Sequence, residues 1–436
     1  MLRRTFDSGM WSAAVCLGVA ACLAGCFKGL RTTPFPDASG GGSGGTGGSS
    51  GGNSGDASDA TSDMNQASCP AGCPAPSTGA ATGTAACVNG ECRISCDATY
   101  PTLCAASNAC VDLTSDGKNC GTCAKDCLGG TCVGGRCQPV LIAQYIGNPM
   151  VMYVGAQALY VTTDLGYVGR ASKDGSDLKP FAMPGFASSA FINTLVAEDG
   201  DRVFFVRTLA TIQLSYCMTS SCDATAAPIG GQYTQFFAVD QADHKIVWVD
   251  YTPSRFVSGS TVGTVGGGDV PGGALASGSS GGRLFYSQGG IYFAAGNGIN
   301  RIPIAGGSTV SVTAAATPLT ILGANSTSLF VYDGSAIGSV PLPSGDVGSP
   351  APLIVTDLNP GTDGNFAVDD NSMYWAANGA ANTCQISTCA MTLKTLPKRA
   401  VDSIYDVGLD SAAVYLFAQS GLYNSTAACT VWKLAK

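Results

Sequence analysis

The chain has almost no glutamate and almost no histidine. Glu91 and Glu198 are its two glutamates, and His244 is its one histidine, in 436 residues. Histidine dyads, His-rich metal centres and Ser-His-Asp triads therefore have almost nothing to draw on. Charge is scarce too: 12% of residues are charged, 22 basic against 30 acidic, for a formal net charge of −8. Binding driven by counterion release needs clustered Lys and Arg, so nucleic acid is not expected as a partner. Past Cys26 no uncharged apolar run reaches the roughly 18 residues of a membrane-spanning helix. Nor is there a phosphate loop, a nucleophile elbow or a carboxylate pair set for acid–base work.

What the chain has is apolar surface (45%), 59 glycines and 20 cysteines. Its length suggests two or three domains. The first 25 residues read as an address. Arg3 and Arg4 form a positive start, and Met10–Ala24 is uncharged and mostly apolar, long enough for a signal peptide and too short to span a bilayer. It ends in Leu23-Ala24-Gly25-Cys26, which resembles the lipobox of bacterial lipoproteins. The resemblance implies cleavage before Cys26, lipid on that cysteine and a membrane contact through the lipid. Phe27 stands where an inner-membrane retention Asp would be, which by family analogy favours the outer membrane. Arg3-Arg4 followed by Phe6 also resembles a twin-arginine signal, but the match is short, and the general secretory route is preferred.

Residues 26–68 then read as a lipidated cysteine and a flexible tether. Ser39–Gly55 contains ten glycines in 17 residues, and such coil spans roughly 35 Å over the whole tether. From Cys69 to Cys137 the composition shifts to twelve cysteines in 69 residues with few large apolar side chains. In an exported chain this is a disulfide module, assigned to 69–138. Its pairing cannot be read from the sequence. Cys120-x-x-Cys123 has zinc-ligand spacing, the rival reading. The run Cys110-Val-Asp-Leu, Asp116, Asn119-Cys-Gly, Cys123 and Cys127 resembles the stigma-specific cysteine-rich family. That resemblance implies an extracellular interaction module. Asp112, Asp116 and Asn119 are read as turn caps, with a bound cation as the alternative.

Residues 139–436 repeat. An apolar–aromatic pair recurs at Leu159-Tyr160, Val203-Phe204, Ile246-Val247-Trp248, Leu284-Phe285, Leu329-Phe330, Met373-Tyr374-Trp375 and Val414-Tyr415. Ile291-Tyr292-Phe293 fits the fourth place as well as Leu284-Phe285 does. Around the pairs lie short strands of period two, broken by Gly, Asp, Asn and Ser. Four strands per repeat of about 40 residues mean a β-propeller. The expected fold is therefore all-β, a seven-bladed propeller behind a disulfide-rich module and a Gly/Ser linker. It is similar to secreted bacterial propellers. Val140–Ile146 is predicted to supply the missing outer strand of the last blade and close the ring.

Cys217 with Cys222, and Cys384 with Cys389, are expected to form local bridges. Cys429 is aligned with the second member of these pairs and left odd. Some propellers are metal-dependent lactonases with acidic residues converging on the channel. Glu198, Asp199 and Asp201 are the candidate metal ligands here, with calcium the candidate ion and an exposed turn the alternative. Asp240, Asp369 and Asp410 recur at one repeat position and are read as turn residues. His244 is expected to be exposed. Asn325 and Asn424 head Asn-Ser-Thr sequons.

Three functions fit. The first is an envelope binding protein, monomeric, that recognises a protein or glycan with its loop face or channel mouth. The second is a metal-dependent lactonase or hydrolase, and the third a structural spacer. Acidic residues at the channel mouth favour the enzyme; an apolar or aromatic surface favours binding.

Overall fold

The computed structural model describes residues 73, 84–88 and 91–436, apart from loop segments of which the longest are 182–195, 275–283, 343–350 and 356–365. The signal segment, Cys26, the tether, Cys69 and Asn424 lie outside the described residues.

Seven four-stranded antiparallel sheets follow one another along the chain. Blade 1 spans 149–181, blade 2 196–228, blade 3 237–274, blade 4 285–314, blade 5 320–355, blade 6 366–395 and blade 7 402–435. Blade 7 draws only three strands from its own stretch. Its fourth, outer strand is Val140–Ile146, antiparallel to Ala428–Ala435 with Cys429 opposite Tyr145 and Thr430 opposite Gln144. The start of the propeller thus closes its end, and the last blade has no missing strand.

The sequence repeat has a simple physical cause. Neighbouring residues of a strand point to opposite faces. In a stacked blade both faces are buried, so both positions of the pair must be apolar. The seven propeller core clusters each draw on two adjacent blades. In the second strand of blade 1, Leu159 packs toward blade 7 and Tyr160 toward blade 2. Leu329 and Phe330 of blade 5 divide in the same way, and so do Val414 and Tyr415 of blade 7. This settles the fourth repeat. Ile291 and Tyr292 divide between the two seams of blade 4, whereas Phe285 opens its inner strand. Burial of each large side chain contributes about 1.5–3 kcal/mol, and Trp248, Trp375, Tyr160, Phe204 and Phe330 are all inaccessible or nearly so.

The cysteine-rich module consists of three short ribbons: Thr84–Val88 with Glu91–Ser95, Thr102–Cys104 with Ala109–Val111, and Cys132–Val133 with Arg136–Cys137. Bridges join Cys73–Cys92, Cys96–Cys110, Cys104–Cys123, Cys120–Cys132 and Cys127–Cys137. Cys87 is also disulfide-bonded. The zinc reading of Cys120-x-x-Cys123 fails here, because the two sulfurs sit in different bridges. Asp112 accepts the Thr114 amide (2.9 Å), Asp116 the Lys118 amide (2.8 Å) and Asn119 the Ala124 amide (2.8 Å). All three cap turns.

The module rests on the propeller. Cys120, Cys127, Cys132 and Cys137 form one apolar cluster with Leu434 of blade 7, and Leu396 and Ala435 pack against it. Register explains why Leu434 is free for this. Val203 faces Cys217 in blade 2 and Met373 faces Cys384 in blade 6, while Val414 faces Leu434 in blade 7. Where two blades carry a bridged cysteine, the last carries a docking leucine. Cys217–Cys222 and Cys384–Cys389 are both bridged. Cys429 is not their counterpart: it stands at the opposite end of its strand, as a buried thiol.

Candidate functional site

The seven inner strands surround a central channel of about 390 Å³. Its wall includes Met152, Tyr153, Val196, Phe237, Ala238, Leu284, Phe285, Tyr286, Leu322, Ala324, Phe366, Val368, Val407 and Leu409. Among the described residues, no charged side chain lines it. The side-chain heteroatoms are the Met152 sulfur and the hydroxyls of Tyr153 and Tyr286. Asp406 stands directly behind the wall, 2% exposed. Its oxygens accept the amides of Met152 (2.8 Å) and Val407 (2.7 Å), so the carboxylate braces two inner strands.

The acidic run at the end of the inner strand of blade 2 does not converge on one point. Glu198 and Asp199 are consecutive in a strand and point apart. Glu198, 1% exposed, turns toward blade 1. There it accepts the Tyr160 hydroxyl (3.1 Å) and the Gln157 amide (3.3 Å). Asp199, 4% exposed, turns toward blade 3. There it meets His244 Nδ1 at 2.9 Å and accepts the Thr261 hydroxyl. Asp201 points into solvent. The exposed-turn reading is corrected for the first two, since two carboxylates are buried as links between blades. His244 is half-exposed, as a polar turn requires, yet its ring is held by Asp199. Among the described residues, the one cluster of three potential ligands is Cys120, Cys127 and Cys137, whose sulfurs are in bridges.

These links belong to a ring that sequence reading missed. At the end of the propeller where first and second strands join, every seam carries a polar tie. Glu198 ties blades 1 and 2, and Asp199 with His244 ties 2 and 3. Tyr286 donates to Asp243 across seam 3–4 (3.4 Å), and Gln288 to the Ser326 carbonyl across 4–5 (3.3 Å). Ser326 donates to Asp370 across 5–6 (2.7 Å). Lys436 pairs with Asp369 across 6–7 (2.8 Å), and Lys173 with Asp410 across 7–1 (3.1 Å). The recurrent acids are also turn caps. Asp369 accepts the amides of Asn371 and Ser372, and Asp410 those of Ala412 and Ala413. Asn325, first of the two sequon asparagines, caps its own turn likewise through Thr327 and Ser328.

The electrostatics match this role. Burial pushes Asp410 up, but the amides of Ala412 and Ala413, the Tyr415 hydroxyl and Lys173 outweigh it and hold the carboxyl at about 2. Asp369 is likewise held low against its burial, by Lys436 and two turn amides. Burial drives the Tyr153 hydroxyl up to about 12, and its partners at the channel rim are the Glu198 carbonyl (3.5 Å) and Gln241 (3.3 Å). None of these groups is poised for proton transfer near neutral pH.

No family model and no curated protein matches the chain. Among solved structures it is similar to the Cps50 (Swd1) β-propeller domain of Myceliophteria thermophila, at 11% identity and TM-score 0.46, covering 67% of this chain and 99% of that one. It is similar to YCF48 from Cyanidioschyzon merolae, at 11% identity and TM-score 0.47, covering 68% and 98%. It is similar also to the AfRom2 CNH domain, at 10% identity and TM-score 0.46, covering 69% and 99%. Seven sheets and seven shared seams in the chain itself define the propeller.

Proposed function

We propose that this chain is an exported, lipid-anchored binding protein of the outer membrane, monomeric, whose propeller recognises an envelope component. Cys26 carries the lipid, 26–68 is the tether, and the disulfide module steadies the ring closure. The observation that carries the binding reading is the channel wall: an apolar, aromatic surface formed by all seven blades, with no carboxylate on it among the described residues. A metal-dependent hydrolase needs ligands converging there, and Glu198 and Asp199 are spent on seams instead. Seven described disulfides support an oxidising compartment. The ligand is a protein or glycan of the envelope.

The anchoring is tested by growth in labelled palmitate followed by fractionation. The wild-type chain is expected to carry label and sediment with outer membranes. Cys26→Ser is expected to lose both. Label retained in the variant overturns the assignment of Cys26.

A further inference from the structure

The channel has a chemistry that selects among ligands. Among the described residues its wall offers no charge, and its two hydroxyls are already engaged at the rim, Tyr153 with Glu198 and Gln241, Tyr286 with Asp243. The Asp406 carboxylate behind the wall has both oxygens occupied by wall amides. A charged group entering this space leaves its hydration and gains no counter-charge, a heavy desolvation penalty. Each inner strand is the last in its sheet and pairs with one strand only, so its other edge of backbone amides and carbonyls runs along the channel. The space holds about a dozen waters at roughly 30 Å³ each, and it falls in the range of small-molecule pockets.

We propose that the channel is a binding site for a small, uncharged, mainly apolar molecule, whose one or two neutral polar atoms meet the backbone of the inner strands. The inference rests on the binding reading above and goes beyond it, since the channel ligand is a small molecule distinct from the protein or glycan recognised at the loop face or channel mouth. Apolar surface removed from water supplies the affinity. The edges supply orientation without demanding charge.

The test uses the exported chain with Cys26→Ser, purified without detergent, and the neutral probe N-phenyl-1-naphthylamine read by fluorescence. Saturable binding at one site per chain is expected, insensitive to salt. Ala238→Trp and Ala324→Trp fill the space and are expected to weaken the probe about tenfold or more. Asp201→Asn, outside the channel, is expected to leave binding unchanged. The sulfonated analogue 1-anilinonaphthalene-8-sulfonate is expected to bind at least about tenfold more weakly. Should the Trp variants lose their thermal transition, Ala238→Ile and Ala324→Ile replace them, with a loss of about threefold. Probe binding that does not saturate, survives both fillings, or favours the anion overturns the proposal. In each of those cases an envelope partner captured by cross-linking would still support the broader binding reading.

Discussion

Glu198 separates two accounts of this propeller, because as a metal ligand and as a seam tie it predicts opposite behaviour under chelation. In the structure its carboxylate accepts the Tyr160 hydroxyl and the Gln157 amide from the neighbouring blade. Glu198→Ala removes both bonds. Bonds to a charged acceptor contribute about 1.5–3 kcal/mol each, partly offset by relief of the buried charge. A net loss of about 2–4 kcal/mol follows, or roughly 4–8 °C in Tm for a domain of this size. The assay is thermal unfolding of wild type and variant, each with EDTA and with excess calcium. The loss is expected to be the same in both buffers. Equal melting in EDTA, with a gap opening only on calcium addition, would refute the seam account and restore a metal site. Gly155 supplies an internal check. A Cβ there would collide with the Glu198 carboxylate, so Gly155→Ala alone is expected to destabilise. In the Glu198→Ala background its cost is expected to shrink, a coupling read by a double-mutant cycle.

Asp410 gives a pH signature. Its folded value of about 2 lies below the ordinary Asp value of about 3.9. The stabilisation it provides is therefore complete above about pH 4 and disappears as pH falls through about 2. After allowance for solvent screening, Asp410→Asn is expected to cost about 1–2 kcal/mol at pH 7 and little below about pH 2, read from urea unfolding across that range. The Cys127–Cys137 bridge ends just before the closing strand Val140–Ile146, and both sulfurs pack in the cluster with Leu434. Replacing the two cysteines by alanine is expected to cost about 3 kcal/mol for a loop of this length. Amide exchange is expected to rise first in Val140–Ile146; unchanged protection there would disconnect the module from ring closure.

The propeller was legible in the sequence because burial on both faces of a blade forces two adjacent apolar positions, and seven blades repeat the demand. Val140–Ile146 was legible as the closing strand because a strand-forming segment stood before the first repeat while the last repeat ran short. The choice between Phe285 and Tyr292 was not, since an inner strand beside the channel and a second strand between blades both favour aromatics. The acidic residues were harder. Asp240, Asp369 and Asp410 showed their turn role by recurrence, but Glu198 and Asp199 occur once, and a seam tie has no local spacing. Their partners Tyr160, Gln157, His244 and Thr261 lie on other blades, so only the ring brings them together. The channel wall was hidden for the same reason: each inner strand contributes a few ordinary apolar residues, and their shared surface exists only after closure.

The binding reading is tested most directly by photo-cross-linking in living cells, with benzoyl-phenylalanine placed at Phe285 in the channel wall and, as control, at Val133 on the exposed hairpin of the disulfide module. The account predicts a discrete adduct with one envelope component from position 285, absent from position 133 and diminished by Ala238→Trp. The same adducts from both positions, or none from position 285 while the chain remains folded and anchored, would contradict it.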